Sequence, residues 1–227
     1  MALFRAIASG DPVEASRLLV ASPSLARESC SVGASRSSSL PYFLRSLEHY
    51  VYSGDTALHV AARAYRVDIA KALVARGANP GARNRRGAEP LHYGTVGRPG
   101  SQSWNPEAQA AMIDYLIHLG ADPDSVDASG VAPIHLAVRT RCAAAVRALL
   151  AHGADPGRKN RRGSTPLHLA VRNTGRGGSG APDAKDQQAE IIGLLLERGA
   201  PLDEKDGRGK SVNESIASDW IRVLLHR

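Results

Sequence analysis

Apolar side chains recur at helical spacing in four separated segments: Ile69, Leu73 and Val74; Ile113, Leu116 and Ile117; Val146, Leu149 and Leu150; Ile191, Leu194 and Leu195. Such stripes predict amphipathic helices that bury one face. Each segment runs into a similar stop, Gly77-Ala78-Asn79-Pro80, Gly120-Ala121-Asp122-Pro123, Gly153-Ala154-Asp155-Pro156 and the shorter Gly199-Ala200-Pro201. Glycine supplies the left-handed residue that ends a helix, and a proline just beyond prevents its continuation. Near the start, Leu3, Ala6, Val13, Leu18 and Leu19 carry the same helix-pair pattern. One such pair cannot cover its own apolar face, so neighbours must stack.

A second set of segments stays in phase with the first. Thr56-Ala57-Leu58-His59, Glu89-Pro90-Leu91-His92, Ala132-Pro133-Ile134-His135 and Thr165-Pro166-Leu167-His168 begin 33, 43 and 33 residues apart. Thr can cap a helix, and Pro at the first helical position lacks an N–H that would have no partner there. Glu89 and Ala132 replace the capping Thr, which predicts weaker starts in those two copies. A third set, Asn84-Arg85-Arg86-Gly87, Asp127-Ala128-Ser129-Gly130, Asn160-Arg161-Arg162-Gly163 and Asp206-Gly207-Arg208-Gly209, has the composition of tight turns.

Three motifs in one register over four copies resemble the ankyrin repeat. The resemblance implies an all-α solenoid of about six stacked helix pairs including caps, with β-turn fingers, an inner helix opened by the TPLH segment and an outer helix ending in Gly-Ala-Asp. It gives each motif histidine a structural bond across the turn. On this reading residues 1–227 form a single domain, with a capping pair over 1–30, four central repeats over 54–208 and a C-terminal cap over 209–227.

Three insertions break the period. The first, 31–53, has a Ser-rich half and an aromatic half, Leu40 to Tyr52, expected to pack as a helix on the first repeats. It holds Tyr42, Phe43, Tyr50 and Tyr52, four of ten aromatic residues. The other two, near 97–106 and 174–187, fall between inner and outer helices, which in the family is the end of the repeat far from the fingers.

Composition narrows the chemistry. Aromatic residues make up only 4% of the chain, which argues against a β-sandwich, and no apolar stretch reaches the roughly 18 residues of a membrane span. Arg5, Asp11, Glu14 and Arg17 interrupt what would have to be a leader's apolar segment, so a cytoplasmic protein is expected. Cys30 and Cys142 match no metal-ligand spacing and are expected to be reduced thiols. His59, His92, His135 and His168 stand one per repeat and cannot converge on one ion. Gly175 to Gly180 satisfies GxGxxG but follows a helix, whereas the dinucleotide fingerprint requires a strand. No convergent catalytic set remains, so no enzyme, cofactor or metal is expected.

The net charge of +7 raises nucleic acid as a partner. The fingers alternate in sign, however: Arg83, Arg85 and Arg86, then Asp122, Asp124 and Asp127, then Arg158, Lys159, Arg161 and Arg162. A duplex would favour an unbroken basic track. Seven residues beyond each motif's first position stand Arg63, Val96, Arg139 and Arg172, a position the resemblance places on the concave face. The expectation is therefore a monomeric scaffold whose Arg63, Arg139 and Arg172, with Arg85, Arg86, Arg161 and Arg162 at the fingers and Tyr52 beside them, bind an acidic segment of a partner protein. A solvated helix face and fingers that pair their own charges are the plainer alternative.

Overall fold

The computed structural model describes residues 1–101, 104–172, 182–216 and 218–225. They fall into two compact units, Met1–Gly94 with Ala111–Ala121, and Thr95–Ala110 with Asp122–Arg227.

The first unit contains α1 (Ala2–Ser9), α2 (Pro12–Ala21), α3 (Ala57–Arg63), α4 (Val67–Val74), α5 (Pro90–Gly94) and the C-terminal part of α6 (Pro106–His118). Asp11 starts α2 by accepting the Glu14 N–H at 2.9 Å, with Pro12 at the first helical position. Ile7, Leu19, Leu58, Leu73, Leu91 and Ile113 are fully buried and make up the core of this unit.

The aromatic insertion is not a helix. Leu40–Tyr42 makes a single 3₁₀ turn, and Phe43–Leu44 (β1) then pairs antiparallel with His49–Tyr50 (β2), Phe43 opposite Tyr50 and Leu44 opposite His49. A second 3₁₀ turn, Arg45–Leu47, and Glu48 at φ +45° close the hairpin. Aromatic residues favour the pleated, half-buried setting, and long-range bonds select it here. Val51 N–H reaches the Tyr42 carbonyl at 2.8 Å, and Ala34 N–H reaches the Val51 carbonyl at 2.7 Å. Leu44 and Val51 are buried, and Ser46 Oγ donates to the Ala8 carbonyl at 2.8 Å, so the insertion is knitted onto the first helices.

The second unit contains α7 (Pro133–Arg139), α8 (Ala143–Ala151), α9 (Pro166–Ala170), α10 (Pro182–Glu197), α11 (Asp219–Leu225) and the N-terminal part of α6. Every TPLH-type segment opens a helix: α3, α5, α7 and α9. Every Gly-Ala stop lies just beyond an outer helix, with Gly77, Gly120, Gly153 and Gly199 at φ between +78° and +92°. Gly97, at the start of the insertion near 97–106, lies at the turn between α7 and α8, where a Cβ on it would come within 2.6 Å of Cys142 Sγ. That turn is the end of α7 away from its finger. Positions 174–181 of the other insertion, with the GxGxxG segment, lie outside the described residues.

Candidate functional site

One arrangement recurs at every finger. The motif histidine accepts the backbone N–H at the helix start through Nδ1, from Thr56 at 3.1 Å, Glu89 at 3.2 Å, Ala132 at 3.1 Å and Thr165 at 3.3 Å. Acceptance at Nδ1 places the proton on Nε2. Nε2 then donates across the turn, from His59 to the Ala88 carbonyl at 3.1 Å, from His135 to that of Arg158 at 3.0 Å, and from His168 to that of Lys210 at 3.1 Å. Burial holds the His59 and His135 rings below the usual imidazole range, which keeps them neutral for this role. Among the described residues no group of His, Cys, Asp or Glu is placed to hold a metal ion.

The turn residue of each finger is a second fixed point. Asn84 Oδ1 accepts the N–H groups of Arg86 and Ala88 at 2.9 and 3.1 Å, and Asp127 Oδ1 those of Ser129 and Val131 at 2.7 and 2.9 Å. Asn160 Oδ1 accepts from Arg162 and Ser164 at 2.8 and 3.2 Å, and Asp206 Oδ1 from Arg208 and Lys210 at 2.8 and 3.1 Å. The clamp uses one terminal atom and leaves the other for a different partner.

In the first unit the candidate residues gather around the insertion. Arg86 lies over the Tyr52 ring at 3.8 Å and Arg85 at 5.2 Å, while Arg85 Nη2 also donates to the Ala34 carbonyl at 2.8 Å. Arg63 is half-buried, its Nη2 reaching the Leu47 carbonyl at 3.5 Å. The hairpin therefore occupies Arg63, where the resemblance implies a side chain open to a ligand. Behind this cluster the Asp55 carboxylate, fully buried, accepts from Asn84 Nδ2 at 2.8 Å, from Tyr93 OH at 2.8 Å and from the Tyr52 N–H at 2.6 Å. Nothing in the motif register announces this network, because it joins residues 29 and 38 positions apart.

His49 of β2 stands edge-on to Tyr93 at 5.0 Å, and its Nε2 is sealed from solvent with no hydrogen-bond partner among the described residues. Burial, helped by the positive charges of Arg63 and Arg86, lowers its pKa from 6.5 to about 4. An unfolded chain therefore takes up this proton first as pH falls. The stability linked to His49 is complete above about pH 6.5 and is lost progressively toward pH 4, by at most about 3 kcal/mol. Urea unfolding of the wild type and His49→Phe between pH 7 and 4 checks this: the wild type is expected to lose more stability than the variant, and parallel losses would contradict the assignment.

In the second unit Arg139, Arg161 and Arg162 are exposed. The main chains of the last two tie neighbouring fingers together, Arg161 N–H to the Ser129 carbonyl at 3.4 Å and Gly207 N–H to the Arg162 carbonyl at 2.8 Å. Arg172 instead pairs with the buried Asp206 carboxylate, Nη2 to Oδ2 at 3.0 Å. The bonds from the Arg208 and Lys210 amides, with Arg172, keep that carboxyl below the ordinary range. Lys159 pairs with Glu204 at 2.5 Å, so part of the alternating finger charge is satisfied between neighbours. Both cysteines are free thiols, Cys142 fully buried and Cys30 half-buried. No helix among the described residues is long and apolar enough to cross a membrane.

Against this geometry, the family model for ankyrin repeats in three copies matches residues 105–206, and the model for a single ankyrin repeat matches residues 53–85. The two matches together span more than half of the chain.

Proposed function

Because the chain belongs to the ankyrin-repeat family, with the all-α ankyrin solenoid as its fold class and repeats that serve as protein–protein interaction modules, we propose that it is a non-catalytic scaffold that binds an acidic segment of a partner protein. The observation that carries this reading is the set Arg139, Arg161 and Arg162, exposed guanidinium groups on an inner helix and the finger of the next repeat that make no side-chain bond or ion pair within the described chain. Guanidinium groups offer planar paired donors that match carboxylates. In the first unit, Arg85 and Arg86 around Tyr52 form a basic and aromatic finger that serves the same partner class, while Arg63 acts by holding the insertion. Arg172 is held by its pair with Asp206 and is not available to the partner in the same way. Nucleic acid is the weaker reading, because the Lys159–Glu204 and Arg172–Asp206 pairs break up a continuous basic track.

The test is affinity capture of proteins from the native cell extract by wild type and by the Arg139→Ala/Arg161→Ala/Arg162→Ala triple variant. Captured proteins are expected to be lost from the variant while its thermal melt is unchanged. Full retention would remove these arginines from the binding surface, and recovery of nucleic acid alone would favour the other reading.

A further inference from the structure

The four finger clamps share one geometry but not one partner for the second terminal atom. Asn84 Nδ2 donates to the Asp55 carboxylate at 2.8 Å. Asp206 Oδ2 accepts from Arg172 at 3.0 Å. In both places a carboxylate satisfies a donor at the base of a finger. Which residue supplies it differs, since Asp55 precedes a TPLH-type motif whereas Asp206 is the finger residue itself.

Asn160 departs from both. Its Oδ1 is fixed by two backbone N–H groups, which sets the amide orientation and makes the other atom a donor. The residue that corresponds to Asp55, immediately before the preceding motif, is Val131, which offers no carboxylate. Arg139 stands in the same register to Asn160 as Arg172 does to Asp206, seven residues after its motif begins and ahead of the next finger. Arg139 is exposed and Asn160 half-buried, and neither side chain's remaining donors meet an acceptor among the described residues. The register thus brings two donors to the place where, one repeat later, a donor and a carboxylate meet.

We propose that Arg139 and Asn160 Nδ2 form a carboxylate subsite that takes one Asp or Glu side chain of the partner's acidic segment, in the position that Asp206 fills for Arg172. This rests on the acidic-partner reading above and narrows it to one pair of residues. A charge-assisted guanidinium bond together with an amide donor discriminates a carboxylate from a neutral side chain, and Arg161 and Arg162 on the same finger supply the surrounding positive field.

The test uses fluorescein-labelled hexaglutamate, followed by anisotropy at low salt, and the Asn160→Asp variant. Aspartate keeps the clamp, as Asp127 and Asp206 do, and adds an internal carboxylate for Arg139. The substitution therefore fills the subsite without removing a structural bond. Wild type is expected to bind the peptide, Asn160→Asp and Arg139→Ala each to weaken it about tenfold or more, and the double variant to fall no further than the weaker single variant. The Asn160 side-chain amide resonance of wild type is expected to move on titration. Equal binding by wild type and Asn160→Asp overturns the subsite and leaves an acidic partner standing. Absence of any binding to wild type overturns both. Movement of the Asn160 resonance with inorganic phosphate and not with hexaglutamate overturns the carboxylate in favour of a phosphorylated ligand.

Discussion

Replacing Asp55 by Ala is expected to destabilise the protein by about 3 to 5 kcal/mol, the range for removing one partner from a buried charged network. The carboxylate is fully buried and takes three kinds of donor: the Asn84 amide, the Tyr93 hydroxyl and the Tyr52 N–H. Alanine leaves all three without an acceptor, and each unsatisfied buried donor carries its own desolvation cost. Burial and the Asp55 charge hold the Tyr93 phenol far above its ordinary range, so it remains a donor at any working pH and cannot relieve the loss by ionising. For a chain of this length the expected fall in melting temperature is roughly 10 °C. Asp55→Asn, which keeps one acceptor, is expected to fall between the two. A calorimetric melt of Asp55→Ala within about 2 °C of wild type would show that the network is not a main support of the first unit.

The second large effect is expected at Gly33. Its φ is +69°, and a Cβ there would lie 2.2 Å from the backbone nitrogen of Ser53 and 2.4 Å from the carbonyl carbon of Tyr52. The overlap is with main chain on the far side of a β-bridge, so it cannot be relieved by turning a flexible side chain. Gly33→Ala is expected to cost about 3 kcal/mol, combining the left-handed backbone penalty with displacement of a packed segment. Gly209 is the matched control. It has a similar φ of +76° but open space around the added atom, so Gly209→Ala should show the backbone penalty alone, about 1 kcal/mol. Chemical denaturation of the two variants separates the contributions. Equal losses would mean that the close approach of Gly33 to Tyr52 and Ser53 adds nothing.

The repeat register was legible because its signals are local. A Gly-Ala stop, a Pro at a helix start and an Asx turn each act within a few residues, and spacing alone identified the four inner helices and put an insertion near residue 97. The hairpin was not legible for the opposite reason. Leu40-Pro41 reads as a helix start, and the aromatic residues that follow suit either state. The decision comes from the Val51 and Ala34 N–H bonds and the burial of Leu44. The fate of Arg63 is hidden for the same reason, because it reaches the Leu47 carbonyl, which stands at that place only because the insertion folds back. The helix starts at Glu89 and Ala132 teach a related lesson. Without Thr they look weak, yet the histidine three residues on caps the N–H in all four copies. Asn160 and Arg139 are visible as residue types, but that neither meets an acceptor among the described residues emerges only beside the satisfied pairs at Asn84 and Asp206.

Where an Nε2–H bond of a motif histidine reaches the following finger, it ends on a carbonyl, and the accepting residues are Ala88, Arg158, Ser164 and Lys210. These four run from a methyl group and a hydroxyl to long cations, so no one side-chain type is required there. This part of the adhesion between neighbours asks of the accepting residue only a main-chain carbonyl, which every residue possesses, so exposed finger side chains such as Arg161 and Arg162 can be exchanged without altering it. A lineage carrying this architecture can revise what its fingers recognise by single substitutions while the joints that hold the repeats stay constant, so specificity evolves on a different set of atoms from cohesion.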